Sequence, residues 1–128
     1  MPLTIEVIPN DSGQSDRVKV SLNGRLDGTT SPQLEKTLEP VLAGNIRTLI
    51  FDLANLEFIS SMGIRVMITS QKTLSPRNGS VLLINMKPQI QKVMEIINAL
   101  PGLSVFRDVK EMDDYLALMQ KKVIEENS

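Results

Sequence analysis

The pattern of hydrophobic and polar residues at the start of the chain predicts two β-strands. LTIEVI (3–8) and RVKVSLNG (17–24) alternate apolar and polar residues, as half-buried strands do. The segment between them, PNDSGQSD, is rich in Gly, Asn and Asp, which favour turns. We therefore predict an antiparallel pair of strands joined by this turn.

The period then changes to that of an amphipathic helix, in TSPQLEKTLEPVLAG. Its apolar stripe consists of Leu34, Leu38, Val41 and Leu42. Thr30 or Ser31 is expected to cap the helix, and Pro32 is tolerated in the first turn. Gly44 is expected to end the helix. Pro40 lacks a backbone N–H, so it would kink the helix or end it earlier, at about Glu39.

Two further strands are predicted from nearly continuous apolar runs. RTLIFDL (47–53) and SVLLINM (80–86) have the composition of strands that are covered on both faces. ANLEFI (54–59) follows the first of these runs. LSVF (103–106) is expected to be an edge strand.

Helical spacing marks three later segments, which are SSMGIRVMITSQKTL (60–74), KPQIQKVMEIINALPG (87–102) and VKEMDDYLALMQKKVIEEN (109–127). Strands that alternate with helices predict parallel crossovers. We therefore expect an α/β fold: a small mixed sheet of about four or five strands flanked by about four helices. One domain is expected over residues 1–128, with a core at about 3–118 and a charged tail at 119–128.

Composition argues against most catalytic chemistry. The 128 residues include no cysteine and no histidine, which excludes disulfides, thiolate metal sites and a Ser-His-Asp triad within the chain. No G-x-G-x-x-G or Walker A run is present to hold a nucleotide for hydrolysis. The expectation is a protein that is not an enzyme and needs no cofactor or metal.

Charge and hydropathy do not indicate a nucleic-acid or membrane partner. Fourteen basic and fifteen acidic residues give a formal net charge of −1, and aromatic residues make up 3% of the chain. Neither a basic stripe nor a set of aromatic platforms for bases is indicated. MPLTIEVIPND does not resemble a secretory signal, and no apolar run approaches ~20 residues, so a cytoplasmic location is expected.

The stretch FISSMGIRVM places Ser60 and Ser61 where a strand pattern gives way to a helical one. A serine there can cap the helix. Alternatively it can be phosphorylated, because a phosphate suits a helix N-terminus and would repel a docked partner. Gly63 indicates a close approach to the backbone or a tight contact with a neighbouring strand. ISSMG lacks the first glycine of the hydrolase motif G-x-S-x-G, which disfavours hydrolysis.

Three segments resemble the STAS domain of bacterial anti-sigma factor antagonists: GRLDGTTSPQLEKTL, IRTLIFDLANLEFISSMGIRVM and GSVLLINMKPQIQKVMEI. The resemblance extends over roughly residues 3–118 and implies a short loop after Leu53, at ANLE (54–57). It implies a partner-switching circuit, in which the protein binds an anti-sigma factor that is a serine kinase and thereby releases a sigma factor. Phosphorylation reverses the docking. The resemblance also makes a PP2C-type phosphatase a candidate partner.

The resemblance assigns Ser61 as the phosphoacceptor, with Ser60 as the second candidate. Ser60 stands where the family often has an aspartate, and Asp27 matches an acidic loop residue near the phosphosite. The residues expected to bind the partner are Asp27, Thr29, Thr30, Phe58, Ser60, Ser61, Met62 and Arg65.

Other interpretations stay open. Some members of this domain class act as scaffolds or as small-ligand or nucleotide sensors, in which Ser61 would serve only as an N-cap. Asp52 invites comparison with a response-regulator receiver, but the matching acidic pair and lysine are poor, so we expect Asp52 to bond loop amides beyond a strand end. The methionines, including Met62 and Met67, are interpreted as core residues rather than as a docking groove.

Overall fold

The computed structural model describes residues 3–9, 16–97 and 103–106, and positions 110 and 114. Within these residues, five strands form one sheet, and they alternate with three α-helices after the first two strands. The elements are β1 (Thr4–Pro9), β2 (Arg17–Leu26), α1 (Ser31–Ala43), β3 (Thr48–Ile59), α2 (Ser61–Leu74), a 3₁₀ turn (Ser75–Arg77), β4 (Ser80–Ile84), α3 (Pro88–Ile97) and β5 (Leu103–Phe106).

The strands lie in the order β1-β2-β3-β4-β5. β1 pairs with β2 in antiparallel fashion, and each of the other neighbouring pairs is parallel. The predicted mixed sheet, with an antiparallel pair followed by parallel crossovers, is therefore confirmed. β5 pairs only with β4 in this order, so the prediction of an edge strand over 103–106 is also confirmed.

The main difference from the prediction is the length of β3. The resemblance implied a short loop at residues 54–57, but the strand continues to Ile59 because its pairing with β2 continues to Leu26. Ser21 pairs with Asp52, and Asn23, two residues later, pairs with Asn55, three residues later, so β3 contains an extra residue there. Such a bulge bends a strand without ending it.

Helix α1 ends at the predicted glycine, with Gly44 as its C-cap. It continues through Pro40 to Ala43, so the expected end at Glu39 is wrong. The last turn is held by tertiary contacts: Leu42 packs against the core, and its carbonyl accepts a hydrogen bond from Arg77 Nη2 at 2.7 Å. These contacts compensate for the backbone hydrogen bond that proline cannot make.

The core has two parts, one on each face of the sheet. The larger cluster includes Leu49 and Phe51, together with Met67 of α2. The smaller cluster consists of Ile50, Leu82 and Ile84. Successive residues of a strand point to opposite faces, so burial on both faces explains the continuous apolar runs of β3 and β4.

The structure describes the later predicted elements only in part. In α3, Ile90 is buried and Val93 packs against the main cluster, as expected from the helical stripe. Of the predicted closing helix, Lys110 and Asp114 are helical and form an exposed pair at 3.7 Å. The rest of the closing helix, the tail at 119–128 and the first turn at 10–15 lie outside the described residues.

Candidate functional site

The ends of β2 and β3 bring the candidate residues together. Arg25 lies opposite Phe58 and Leu26 opposite Ile59 in the parallel pairing. The amide of Ser60 then donates a hydrogen bond to the Leu26 carbonyl at 2.8 Å. We call residues 27–30 and 58–65, which follow from these strand ends, the serine corner.

The two adjacent serines occupy different positions at the start of α2. Ser60 is the N-cap, in extended conformation, and its Oγ accepts a hydrogen bond from the Gly63 amide at 3.4 Å. Ser61 is the first helical residue and is exposed, and no hydrogen bond of its hydroxyl is found within the described part of the chain. The cap is therefore Ser60, and the interpretation of Ser61 as the N-cap is wrong.

Gly63 allows α2 to sit directly on the strand ends. A β-carbon at this position would lie 2.6 Å from Leu26 Cγ and 3.1 Å from Ile59 Cγ1. Real β-carbons essentially never approach another atom to within 3.0 Å, so the 2.6 Å contact is not possible without a shift. Of the two reasons proposed for this glycine, the tight contact with neighbouring strands is the one observed.

Asp27 organises the loop between β2 and α1. Its Oδ1 accepts hydrogen bonds from the Thr29 amide at 2.9 Å, the Thr29 hydroxyl at 2.6 Å and the Thr30 amide at 3.2 Å. These bonds favour the ionised form. They lower the pKa of Asp27 below its ordinary value, with the Thr29 hydroxyl as the largest cause. The serine corner therefore carries a fixed negative charge at neutral pH.

The hydroxyls of Thr30 and Ser31 form hydrogen bonds with backbone groups before the helix and do not cap α1. Thr30 stands at the N-cap position of α1 without a side-chain cap bond. Its hydroxyl donates to the Arg25 carbonyl at 2.8 Å and accepts from the Asp27 amide at 2.9 Å. Ser31 Oγ donates to the Asp27 carbonyl at 2.6 Å. Thr30 is only 9% exposed, which leaves Asp27 and Thr29 as the accessible side chains of this loop.

Arg25 belongs to the site, although its sequence context did not indicate it. Its guanidinium carbon lies 4.1 Å from the centroid of the Phe58 ring, within the range of a cation–π contact. Its Nε lies 3.9 Å from Asp27 Oδ2. Arg25 therefore connects the acidic loop with the aromatic residue that precedes the serines. The only signal in the sequence is an arginine at a polar position of β2.

Two large apolar side chains of the serine corner face solvent. Phe58 is 38% exposed and Met62 is 44% exposed. The interpretation of the methionines as core residues holds for Met67, which is fully buried, and is wrong for Met62. Arg65, one turn into α2, is exposed as well. Exposed apolar and cationic side chains next to a free hydroxyl are typical of a protein-docking surface.

Asp52 differs from its predicted setting. It lies inside β3 rather than beyond the strand end. Its Oδ1 accepts from the Ala54 amide at 3.1 Å and from Asn85 Nδ2 at 3.2 Å. These bonds hold β3 at its bulge, so Asp52 has a structural role there.

None of the helices among the described residues has the length and apolar character needed to span a bilayer.

Comparison with known proteins decides the family. The STAS domain matches residues 5–112 of the chain. The chain belongs to the STAS domain family. The resemblance read from the three sequence segments is thus confirmed.

Named relatives of this STAS protein include anti-sigma factor antagonists. BtrV of Bordetella bronchiseptica is 33% identical over 75 residues, an alignment that covers 59% of this chain and 65% of BtrV, slightly less than two thirds of its length. The anti-sigma-B factor antagonist of Staphylococcus epidermidis is 27% identical over 96 residues, covering 75% of this chain and 85% of the relative.

Solved structures show the same fold. An anti-sigma factor antagonist from Mycobacterium paratuberculosis superposes with a TM-score of 0.75 at 22% identity, covering 92% of this chain and 94% of the other. SpoIIAA in its phosphorylated form, described as a Bacillus cell fate determinant, gives a TM-score of 0.64 at 19% identity, covering 88% and 99%. At these identities the similarity concerns the fold alone.

Proposed function

We propose that this STAS protein is an anti-sigma factor antagonist that works by partner switching. In its unmodified form, the serine corner docks an anti-sigma factor with serine kinase activity, and a sigma factor is released. Phosphorylation of Ser61 ends the docking. The names of the relatives support the role of anti-sigma factor antagonist. The geometry of the serine corner supports Ser61 as the residue that controls docking.

The observation that carries the proposal is that the two adjacent serines have different positions, Ser60 at the N-cap and Ser61 in the first turn of the helix. Ser60 makes the cap bond, so the Ser61 hydroxyl is not needed for the helix and is available to a kinase. Phe58 and Met62 lie beside it and provide apolar area for a docked partner.

A phosphate on Ser61 would change the docking surface and leave the fold intact. It carries about −1.5 to −2 charges at neutral pH. The first turn of α2 contains no acidic residue, and its free N–H groups favour negative charge. A partner surface that fits a neutral hydroxyl would have to desolvate the new charge, so the loss falls on binding.

The remaining parts of the proposal concern the circuit. A PP2C-type phosphatase would remove the phosphate and restore docking. We place the circuit in the cytoplasm, because sigma factors act there on RNA polymerase. The protein itself would perform no catalysis, since the kinase supplies the chemistry, and residues 1–128 would act as a single domain.

The test uses the purified protein, ATP and each serine-kinase anti-sigma factor of the source organism. We expect mass spectrometry to map one phosphate to Ser61, with incorporation abolished in Ser61→Ala and retained in Ser60→Ala. Ser61→Asp should weaken binding by about tenfold or more, as expected for a charge introduced into a docking surface.

Two results would contradict the proposal. Modification of Ser60 alone would move the switch to the neighbouring residue. No incorporation, together with unchanged binding by Ser61→Asp, would favour the scaffold or ligand-sensor interpretation.

A further inference from the structure

A groove runs along α2 from the serine corner. Ser61, Arg65, Ile68 and Lys72 recur at intervals of four, three and four residues, so they lie on one face of the helix. With Ile64 and Thr69, these four residues line a groove of about 440 Å³. We call it the α2 groove.

The α2 groove is cationic with an apolar centre. Arg65 and Lys72 are exposed, and Ile68 between them is half-buried. The groove lining contains no carboxylate, and neither cation forms a salt bridge with another residue in the described ranges. Both positive charges are therefore available to a partner.

The neighbouring groove has the opposite charge, which comes from α1. A second groove, between α1 and α2, is lined by Glu35 and Glu39 and by no basic residue. Thr69 borders both grooves, so a single helix separates a basic surface from an acidic one. This polarity restricts which side of α2 an acidic ligand can occupy.

We propose that the α2 groove binds an acidic segment of the protein partner that docks at the serine corner. An apolar side chain of that segment packs on Ile68, and its carboxylates pair with Arg65 and Lys72. The inference rests on the proposed function, because the partner is the anti-sigma factor of that circuit. It adds the chemistry of the contact and the residues that select it.

The position of Ser61 connects the α2 groove to the switch. Ser61 lies at one end of the groove, four residues before Arg65, the spacing at which helical side chains meet. A phosphate there would pair with Arg65 and place negative charge at the entrance of the groove. Phosphorylation would then repel the acidic segment and also remove one of its two cationic contacts.

The test measures binding of the unphosphorylated full chain to the anti-sigma factor, without ATP, at two salt concentrations. The variant is Arg65→Gln/Lys72→Gln, which removes both charges and keeps residues of similar helix propensity. The control is Lys36→Gln, which removes an exposed lysine of α1 that lines neither groove. Circular dichroism and a thermal melt verify that both variants fold.

We expect the double variant to bind about 5- to 50-fold more weakly and to lose most of the salt dependence, as rim charges do, whereas the control binds as the wild type. A carbodiimide cross-linker, which joins amines to carboxylates, should link Lys72 to an Asp or Glu of the partner.

The experiment distinguishes a failure of the α2 groove proposal from a failure of the proposed antagonist function. Unchanged binding by the double variant, or a partner cross-linked elsewhere and not at Lys72, overturns the α2 groove and leaves the antagonist function standing. If the wild type binds none of the anti-sigma factors, the proposed function falls, and this inference falls with it.

Discussion

Gly63 of α2 contacts Leu26 of β2 so closely that a β-carbon on the glycine would lie 2.6 Å from Leu26 Cγ. Leu26 is fully buried and cannot move aside without disturbing the core. We therefore expect Gly63→Ala to destabilise the protein by about 1–3 kcal/mol in chemical denaturation, despite the better helix propensity of alanine.

Gly28 provides the matched control for this substitution. A β-carbon at Gly28 would meet no atom within 4 Å, and this glycine is exposed. Gly28→Ala should change the free energy of unfolding by less than about 0.5 kcal/mol. Equal effects of the two substitutions would show that the contact with Leu26 does not determine how α2 is seated.

The two serines at the start of α2 should differ in their effect on stability. Ser60→Ala removes the cap bond to the Gly63 amide and should cost about 0.5–1 kcal/mol, at the low end for a cap because the bond is 3.4 Å long. Ser61→Ala removes an exposed hydroxyl and should change stability by less than about 0.5 kcal/mol. Urea denaturation of both variants measures the difference, and the reverse order would reassign the cap.

Asp27 should contribute to stability in a pH-dependent way. Hydrogen bonds from the Thr29 hydroxyl and from the Thr29 and Thr30 amides lower its pKa from the ordinary value of 3.8. The stabilisation is therefore present above that value and is lost as the pH falls through the lower pKa of the folded protein. Asp27→Asn should be less stable than the wild type at neutral pH, and the difference should shrink on acidification below pH 3.8.

Denaturation curves at a series of pH values measure this trend, and an NMR titration of the Asp27 carboxyl gives its pKa directly. Glu35→Gln is a suitable control, because Glu35 is exposed on α1 and accepts no such set of loop hydrogen bonds. A difference between the wild type and Asp27→Asn that stays constant with pH would contradict the assignment.

The parts of the fold that follow a local pattern could be predicted from the sequence. The alternation in β1 and β2 and the apolar runs of β3 and β4 each correspond to a strand. The end of β3 follows no such pattern. Leu53, Leu56 and Ile59 are buried at intervals of three, because extra residues in β3 shift its pairing with β2. The two-residue period of a strand is lost there, so no local pattern marked the segment as part of the strand.

The site could be located from the sequence, but its details could not. Either of two adjacent serines satisfies the preference for an N-cap, so only the position of the helix start distinguishes Ser60 from Ser61. The contact between Arg25 and Phe58 depends on the register of two parallel strands whose contacting residues are far apart in the chain. No local propensity contains that information.

Arg77 explains how α1 continues past its internal proline, and this leads to a last prediction. The Arg77 guanidinium donates to the carbonyls of Leu42 at 2.7 Å and Gly44 at 3.0 Å, at the end of the helix, and to that of Ile46 at 3.5 Å. Cations favour this end of a helix, and charged hydrogen bonds are stronger than neutral ones. We expect Arg77→Ala to lower the free energy of unfolding by about 1–2 kcal/mol. Arg77→Lys should recover only part of this loss, because an ammonium group lacks the planar fork of the guanidinium.

The control for Arg77 is Arg47, which is exposed and borders the same surface pocket. Its backbone contacts Asp16 and Ser80, but no hydrogen bond of its side chain is found among the described residues. Arg47→Ala removes the same charge from the same pocket and should change stability by less than about 0.5 kcal/mol. If Arg47→Ala were as destabilising as Arg77→Ala, the effect would come from the charge of the pocket and not from the hydrogen bonds of Arg77 to backbone carbonyls. Because those bonds hold the last turn of α1, the amides of Val41 and Leu42 should exchange faster in Arg77→Ala than in Arg47→Ala, which hydrogen exchange can measure.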